Sequence, residues 1–165
     1  MRIYIPATIA DLEEKPVPAR IVHGVTAGLE QEIRFEDTEV LEAVAMNAAA
    51  DASLRLIAQQ LAAGETLPLR RMVLAADVPP QVLSDAPLSD ELVTARQLAS
   101  PVDWDRIVSI HVDDGTVAED VQAAAGGDDA AFDRLADSEL MWYDVTERLD
   151  LARALTSAKK KAEDA

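Results

Sequence analysis

The chain has 165 residues and a formal net charge of −16, from 31 acidic and 15 basic side chains. Because DNA, RNA and anionic lipid all need a positive surface, this charge argues against direct binding to nucleic acid or to a membrane. Apolar residues make up 49 % of the chain, enough for the core of one domain, and the absence of cysteine excludes disulfides and thiolate metal sites.

The start of the chain contains no signal-peptide pattern. The residues after Met1 do not include a charged stretch followed by an apolar run, and no segment approaches the ~20 apolar residues of a membrane helix. We therefore expect a cytoplasmic protein with no membrane contact.

Six segments have the composition and alternation of strands. Ile3 and Ile5 alternate with polar neighbours before Pro6, and the clearest alternation follows Trp104. The predicted strands are residues 2–7, 19–25, 70–78, 91–98, 106–113 and 139–145. Residues 81–90 are predicted to form a loop.

The strongest helical pattern covers residues 38–63. Its apolar side chains recur with a 3.6-residue period, its middle is rich in alanine, and Gly64 is placed to end it. Small side chains in the middle would let this helix lie close to a sheet. The other predicted helices are residues 9–14, 27–33, 116–125, 128 or 129 to 136, and 147–155.

Strand–strand neighbours mixed with helical crossovers predict the α+β class. We expect one two-layer domain over residues 1–155, in which a mixed or antiparallel sheet of five or six strands packs against the long helix. Residues 156–165 are expected to form a charged, flexible tail.

No strong catalytic signature is present, since the chain lacks a phosphate-binding loop, a nucleophile elbow, a zinc helix motif and a calcium loop. The best candidate is His111 with Asp113, which alternation places on one face at the end of a strand. The pair could share a metal ion or a proton, with Glu119 or Asp120 as a further ligand. In the simpler interpretation, His111 hydrogen-bonds a neighbour and Asp113 belongs to a turn.

Two further residues could join this site. His23, the only other histidine, could form a two-histidine metal site with His111 if their strands were neighbours. Asp77 could meet Asp113 for acid–base catalysis if their strands ran parallel and paired. In the simpler interpretation, His23 is a satisfied strand histidine and Asp77 a polar strand end.

Trp142 and Tyr143 form an aromatic pair in a chain that is only 4 % aromatic. Because adjacent strand residues face opposite sides, one ring is expected in the core and the other at the surface, where it could bind a partner. Trp104 is expected to close the edge of the core.

Four stretches together resemble a known family: residues 2–8, 75–78, 111–114 and 139–143. The chain resembles a family of short, acidic, uncharacterised bacterial proteins of unknown function, over nearly its whole length. The resemblance implies no activity and no catalytic residue.

Three functions remain open from the sequence. The first is an accessory or regulatory domain that binds another protein or a second copy of itself. The second is a small enzyme or ligand-binding protein, with or without a divalent metal, centred on His111 and Asp113. The third is an acidic mimic of nucleic acid, whose carboxylates imitate phosphate groups.

Overall fold

The computed structural model describes residues 1–13, 16–34, 37–86 and 92–164, with residues 158–164 as backbone only. Five helices lie in the described part of the chain: α1 Ala27–Glu32, α2 Thr38–Ala62, α3 Ala118–Ala125, α4 Asp129–Ala136 and α5 Arg148–Asp164. None of them combines the length and apolar character of a membrane-spanning segment.

The described strands form one antiparallel sheet. They are β1 Arg2–Ala7, β2 Ile21–Gly24, β3 Met72–Asp77, β4 Leu83–Asp85, β5 Ala95–Leu98, β6 Ile107–Val112 and β7 Met141–Asp144. Their order across the sheet is β4-β5-β2-β1-β3-β6-β7. The sheet is thus antiparallel rather than mixed, and it has seven strands instead of five or six because β4 forms within the predicted 81–90 loop.

Both faces of the sheet are covered, so the two-layer expectation was wrong. Tyr4, Val73 and Ala75 point towards α2 and pack against its alanines; we call this side the α2 face. Helices α3 and α4 pack further out, against the second half of α2. The opposite side, the α5 face, carries Ile5 and Ile110 and is covered by Leu151 and its neighbours on α5.

The alanine-rich middle of α2 lets that helix approach the sheet, as the sequence predicts. Ser53, fully buried among these residues, donates a hydrogen bond to the carbonyl of Ala7 at 2.7 Å. Its hydroxyl also accepts one from the backbone N–H of Met72 at 2.9 Å. The helix is therefore joined by hydrogen bonds to the facing ends of β1 and β3.

Two predicted boundaries differ from the structure. Helix α5 continues to Asp164, whereas the sequence prediction ended it at residue 155. The predicted strand over 91–98 begins at Ala95, and its residue 91, like residue 14 of the predicted 9–14 helix, lies outside the described residues. The expected flexibility of residues 156–165 stays a prediction.

Candidate functional site

A cleft of about 430 Å³ opens on the α2 face, between β6, α2 and the segment that joins α4 to β7. His111 reaches it from β6, where its Cα pairs with that of Val73 on β3. Asn47 and Met46 line it from α2, and Glu139 lines it from the α4–β7 segment. Arg71, which precedes β3, also lines the cleft, so four separate parts of the chain meet around one histidine.

A register shift sets the direction of the His111 side chain. Ile107 pairs with Ala76 and Ser109 with Ala75, so Val108 is an extra residue in β6. After this bulge, Ser109 and His111 lie on one face, and the hydroxyl of Ser109 is 2.9 Å from Nε2 of His111. Ser109 is buried and therefore orients the imidazole ring.

The surroundings of His111 favour the neutral form of its ring. Burial lowers its pKa below the usual value, and the positive charge of Arg2 lowers it further. With Nε2 held by Ser109, Nδ1 makes no hydrogen bond to the residues that the structure describes. The ring is thus a neutral, oriented group that could exchange a hydrogen bond or a proton with a molecule in the cleft.

Asp113, the residue after β6, is fully buried and committed to Arg71, which lines the cleft with His111. Its Oδ2 accepts from Nε of Arg71 at 2.8 Å and from the Arg71 backbone N–H at 2.9 Å. Its Oδ1 accepts from Nη2 at 2.8 Å. Because both carboxylate oxygens are occupied, Asp113 holds Arg71 at the cleft wall rather than sharing a ligand with His111.

Asp77 does not meet Asp113. Strands β3 and β6 are antiparallel neighbours, so the C-terminal end of β3 lies next to the N-terminal end of β6 and far from its C-terminal end. Asp77 is exposed and accepts from Nε of Arg2 at 2.7 Å, and this hydrogen bond lowers the pKa of the carboxyl. The parallel pairing on which a joint acid–base site depended is therefore absent from these two strands.

His23 does not meet His111 either. Strand β2 lies three strands away from β6, and with a spacing of about 4.8 Å between strands the two histidines are roughly 14 Å apart or more. They cannot bind one metal ion. Asp120 on α3 is paired with Arg134 at 2.8 Å, and no group of three metal-binding side chains assembles within the described ranges.

The aromatic pair divides between surface and core, as alternation predicts. Tyr143 pairs with Ile110 and packs against the core of the α5 face. Trp142 is 61 % exposed and lies directly opposite His111, so both side chains leave the α2 face side by side. Trp104 packs at the core edge, and the guanidinium of Arg148 lies 4.4 Å from its ring centroid.

Arg71 is the cleft residue that the sequence did not point to. Its partner Asp113 is 42 residues away in the chain, and no local pattern links the two. The spacing of two between Ser109 and His111 predicts that they share a face, and only the bulge shows that this is the α2 face.

A model of a family of unknown function, DUF6912, matches residues 1–152. No curated protein and no solved structure is similar enough to this chain to count as a match. The expectation of a family without an established activity is confirmed, and its bacterial origin stays a prediction.

Proposed function

We propose that this chain, which belongs to the DUF6912 family of unknown function, is a protein-binding domain that takes an extended segment of its partner along β7. The observation that carries the proposal is the exposed Trp142 on an edge strand. In this proposal the partner adds an eighth strand to the sheet.

Strand β7 ends the sheet, and none of the described residues forms a strand on its outer side. An edge strand presents backbone N–H and C=O groups that another extended chain can pair with. Proteins often protect such edges with proline or lysine, whereas β7 reads Met-Trp-Tyr-Asp. The strand therefore supports recognition through the backbone of a partner.

Trp142 supplies the side-chain anchor. A tryptophan buried at an interface is among the residues whose truncation weakens binding most. Because Trp142 stands beside His111, a partner side chain on the same face would lie near the mouth of the cleft. Alternate side chains of an added strand fill such pockets, which gives specificity to the backbone pairing.

The charge of the chain favours a basic partner. At −16, the protein attracts a lysine- or arginine-rich segment and repels a second copy of itself. Glu139 precedes β7 and Glu147 follows it, and both are exposed. Self-association through β7 would bring these carboxylates together, so a different protein is the better fit.

The experiment uses a displayed library of random linear peptides, selected against the intact protein. Enriched peptides should alternate apolar and basic residues, and their binding should shift the backbone amide signals of Met141–Asp144 in NMR spectra. Replacing Trp142 by Ala should weaken the selected peptides about tenfold or more.

Phe132→Ala is the matched control, because Phe132 is an exposed aromatic residue on α4. This variant should bind the selected peptides as the wild type does. The proposal fails if no peptide is enriched, or if Trp142→Ala binds as tightly as Phe132→Ala. A dimer of the wild type that Trp142→Ala abolishes would replace the basic partner by a second copy.

A second candidate is a ligand-binding protein or small enzyme centred on the His111 cleft. The neutral imidazole held by Ser109 at 2.9 Å favours it. A fragment screen by NMR would identify ligands that shift the His111 ring signals and lose affinity in His111→Asn. A panel of divalent metals tests the metal-dependent version, in which a rise in melting temperature disappears in the same variant.

Mimicry of nucleic acid also stays a prediction.

A further inference from the structure

A second pocket lies on the same α2 face as the cleft but three strands away from β6, between β2 and α2. Its volume is about 200 Å³, and its wall includes His23 from β2 and Ala52, Arg55, Leu56 and Gln59 from α2. Since β2 and β6 are separated by β1 and β3, this pocket is distinct from the cleft at His111. We call it the His23 pocket.

His23 is 1 % exposed, and one of its ring nitrogens lacks a partner. Nδ1 lies 2.8 Å from Oγ1 of Thr94, the residue that precedes β5, and this contact fixes the ring. Nε2 is buried and makes no hydrogen bond to any described residue. A buried polar atom left unpaired destabilises the folded protein, so a group that satisfies Nε2 would be bound favourably.

The charged side chains that line the pocket are positive, whereas the chain as a whole is negative. Its wall carries two arginines and no carboxylate. The guanidinium of Arg20 is already held by Asp11 at 2.7 and 2.9 Å. The exposed Arg55 makes no ion pair with the described residues, although Asp51 precedes it by one turn of α2.

Arg55 and Gln59 are four residues apart and therefore lie on the same side of α2. Both are exposed and line the pocket, so they stand at its rim, while His23 lies deeper. Ile21 and Leu56 supply apolar wall between them. The pocket thus offers one free cation, one amide, one buried imidazole and an apolar lining.

We infer that the His23 pocket binds a small organic monocarboxylate. In the tautomer that this binding requires, the Thr94 hydroxyl donates to Nδ1 of His23 and Nε2 carries the ring proton. The carboxylate would then accept hydrogen bonds from Nε2–H of His23 and from the guanidinium of Arg55, with the Gln59 amide beside it. A short apolar body would lie against Leu56 and Ile21. A single free guanidinium matches one carboxylate, to which arginine can bind with two parallel hydrogen bonds. Phosphate, with a larger charge, would need more donors than the pocket provides.

The test is a titration of the intact protein with formate, acetate, butyrate and benzoate at about 0.15 M salt, where screening limits the repulsion between the acidic surface and an anion. Inorganic phosphate and chloride serve as comparison anions. Binding should shift the Nε2 signal of His23 in ¹⁵N-resolved NMR spectra. Affinity should rise from acetate to butyrate, since the apolar body adds buried area.

Arg55→Gln should weaken butyrate binding about tenfold or more. Arg153→Gln is the matched control, because it removes the same charge from an exposed position on α5 that is outside the pocket. Ala52→Leu fills the pocket and should abolish binding in a folded protein. Both key variants change residues on α2, so the test does not depend on replacing the buried His23.

The inference is overturned if no carboxylate shifts the His23 signal, or if Arg55→Gln and Arg153→Gln bind butyrate equally. Tighter binding of phosphate than of butyrate would overturn the ligand class. These outcomes are independent of Trp142, so the pocket and the β7 interface succeed or fail separately.

Discussion

The most heavily buried charges in the described structure belong to Arg71 and Asp113. The side chain of Arg71 is 4 % exposed and that of Asp113 is fully buried, and three hydrogen bonds join the two residues. A buried ion pair adds little net stability over apolar residues of the same size, but removing one partner leaves an uncompensated charge. A substitution of Arg71 alone or of Asp113 alone should therefore destabilise the fold.

Asp113→Asn should lower the free energy of unfolding by about 3–5 kcal/mol, because it leaves the Arg71 charge buried without its counterion. Urea denaturation measures the change. Asp77→Asn, which breaks the exposed pair with Arg2, should cost less than ~1 kcal/mol. Equal losses in the two variants would contradict the burial argument.

His23 should make stability depend on pH. Burial, and then the charge of Arg55, lowers the pKa of His23 to about 4. Its unfolded value is about 6.5, so between these values the unfolded chain binds more protons, and stability falls as the pH is lowered. The loss should reach roughly 3 kcal/mol at about pH 4 and grow little below it.

The comparison that isolates this effect is between the wild type and His23→Gln. Asp51 has a pKa raised by burial, and the contribution of this group has the opposite sign, so the pH profile of one protein alone is not diagnostic. The unfolding free energy of the wild type minus that of His23→Gln should decrease from pH 6.5 to pH 4, because only the wild type carries the His23 group. A constant difference, or an NMR titration of His23 with an ordinary midpoint, would contradict the prediction.

At the scale of elements, the hydroxyl group of Ser53 joins α2 to β1 and β3 by hydrogen bonds. Ser53→Ala removes the hydrogen bonds of the Ala7 carbonyl and the Met72 N–H, both of which are buried under the helix. The cost should be about 1–3 kcal/mol, measured by urea denaturation. Ser138→Ala, at the end of α4, should change stability far less, because that hydroxyl donates only one long hydrogen bond of 3.4 Å.

Sequence reasoning identified the elements with strong periodicity and missed those that depend on tertiary pairing. The repeat in residues 38–63 and the alternation after Trp104 were sufficient for α2 and β6. Strand β4 has only three residues and forms because β5 pairs with it, which no local pattern shows. Residues 156–164 contain good helix formers, which the sequence prediction left out when it ended the last helix at residue 155.

The candidate site was predictable only in part. Alternation separated Trp142 from Tyr143, as the structure confirms. The direction of β3 relative to β6 and the distance between His23 and His111 follow from strand order, which depends on long-range packing. The role of Arg71 could not be predicted from any sequence motif, because it arises from a contact with Asp113, which is distant in the chain.

At the scale of the whole molecule, the net charge of −16 should destabilise the folded state through self-repulsion. Raising the ionic strength from about 0.01 M to 0.15 M shortens the Debye length from roughly 30 Å to 8 Å. The melting temperature should therefore rise with added sodium chloride, as measured by circular dichroism. A melting temperature that falls over this range would indicate that favourable ion pairs outweigh the repulsion.

The position of α5 in the chain has a consequence for synthesis. Leu151, Ala152 and Leu155 cover the α5 face, yet they follow all seven described strands in sequence. A nascent chain that has left the ribosome as far as β7 can complete its sheet while one apolar face is still bare, and surfaces of that kind aggregate or bind chaperones. Translation that stops before Arg148 would release an insoluble fragment, whereas a few residues later the same sheet is protected.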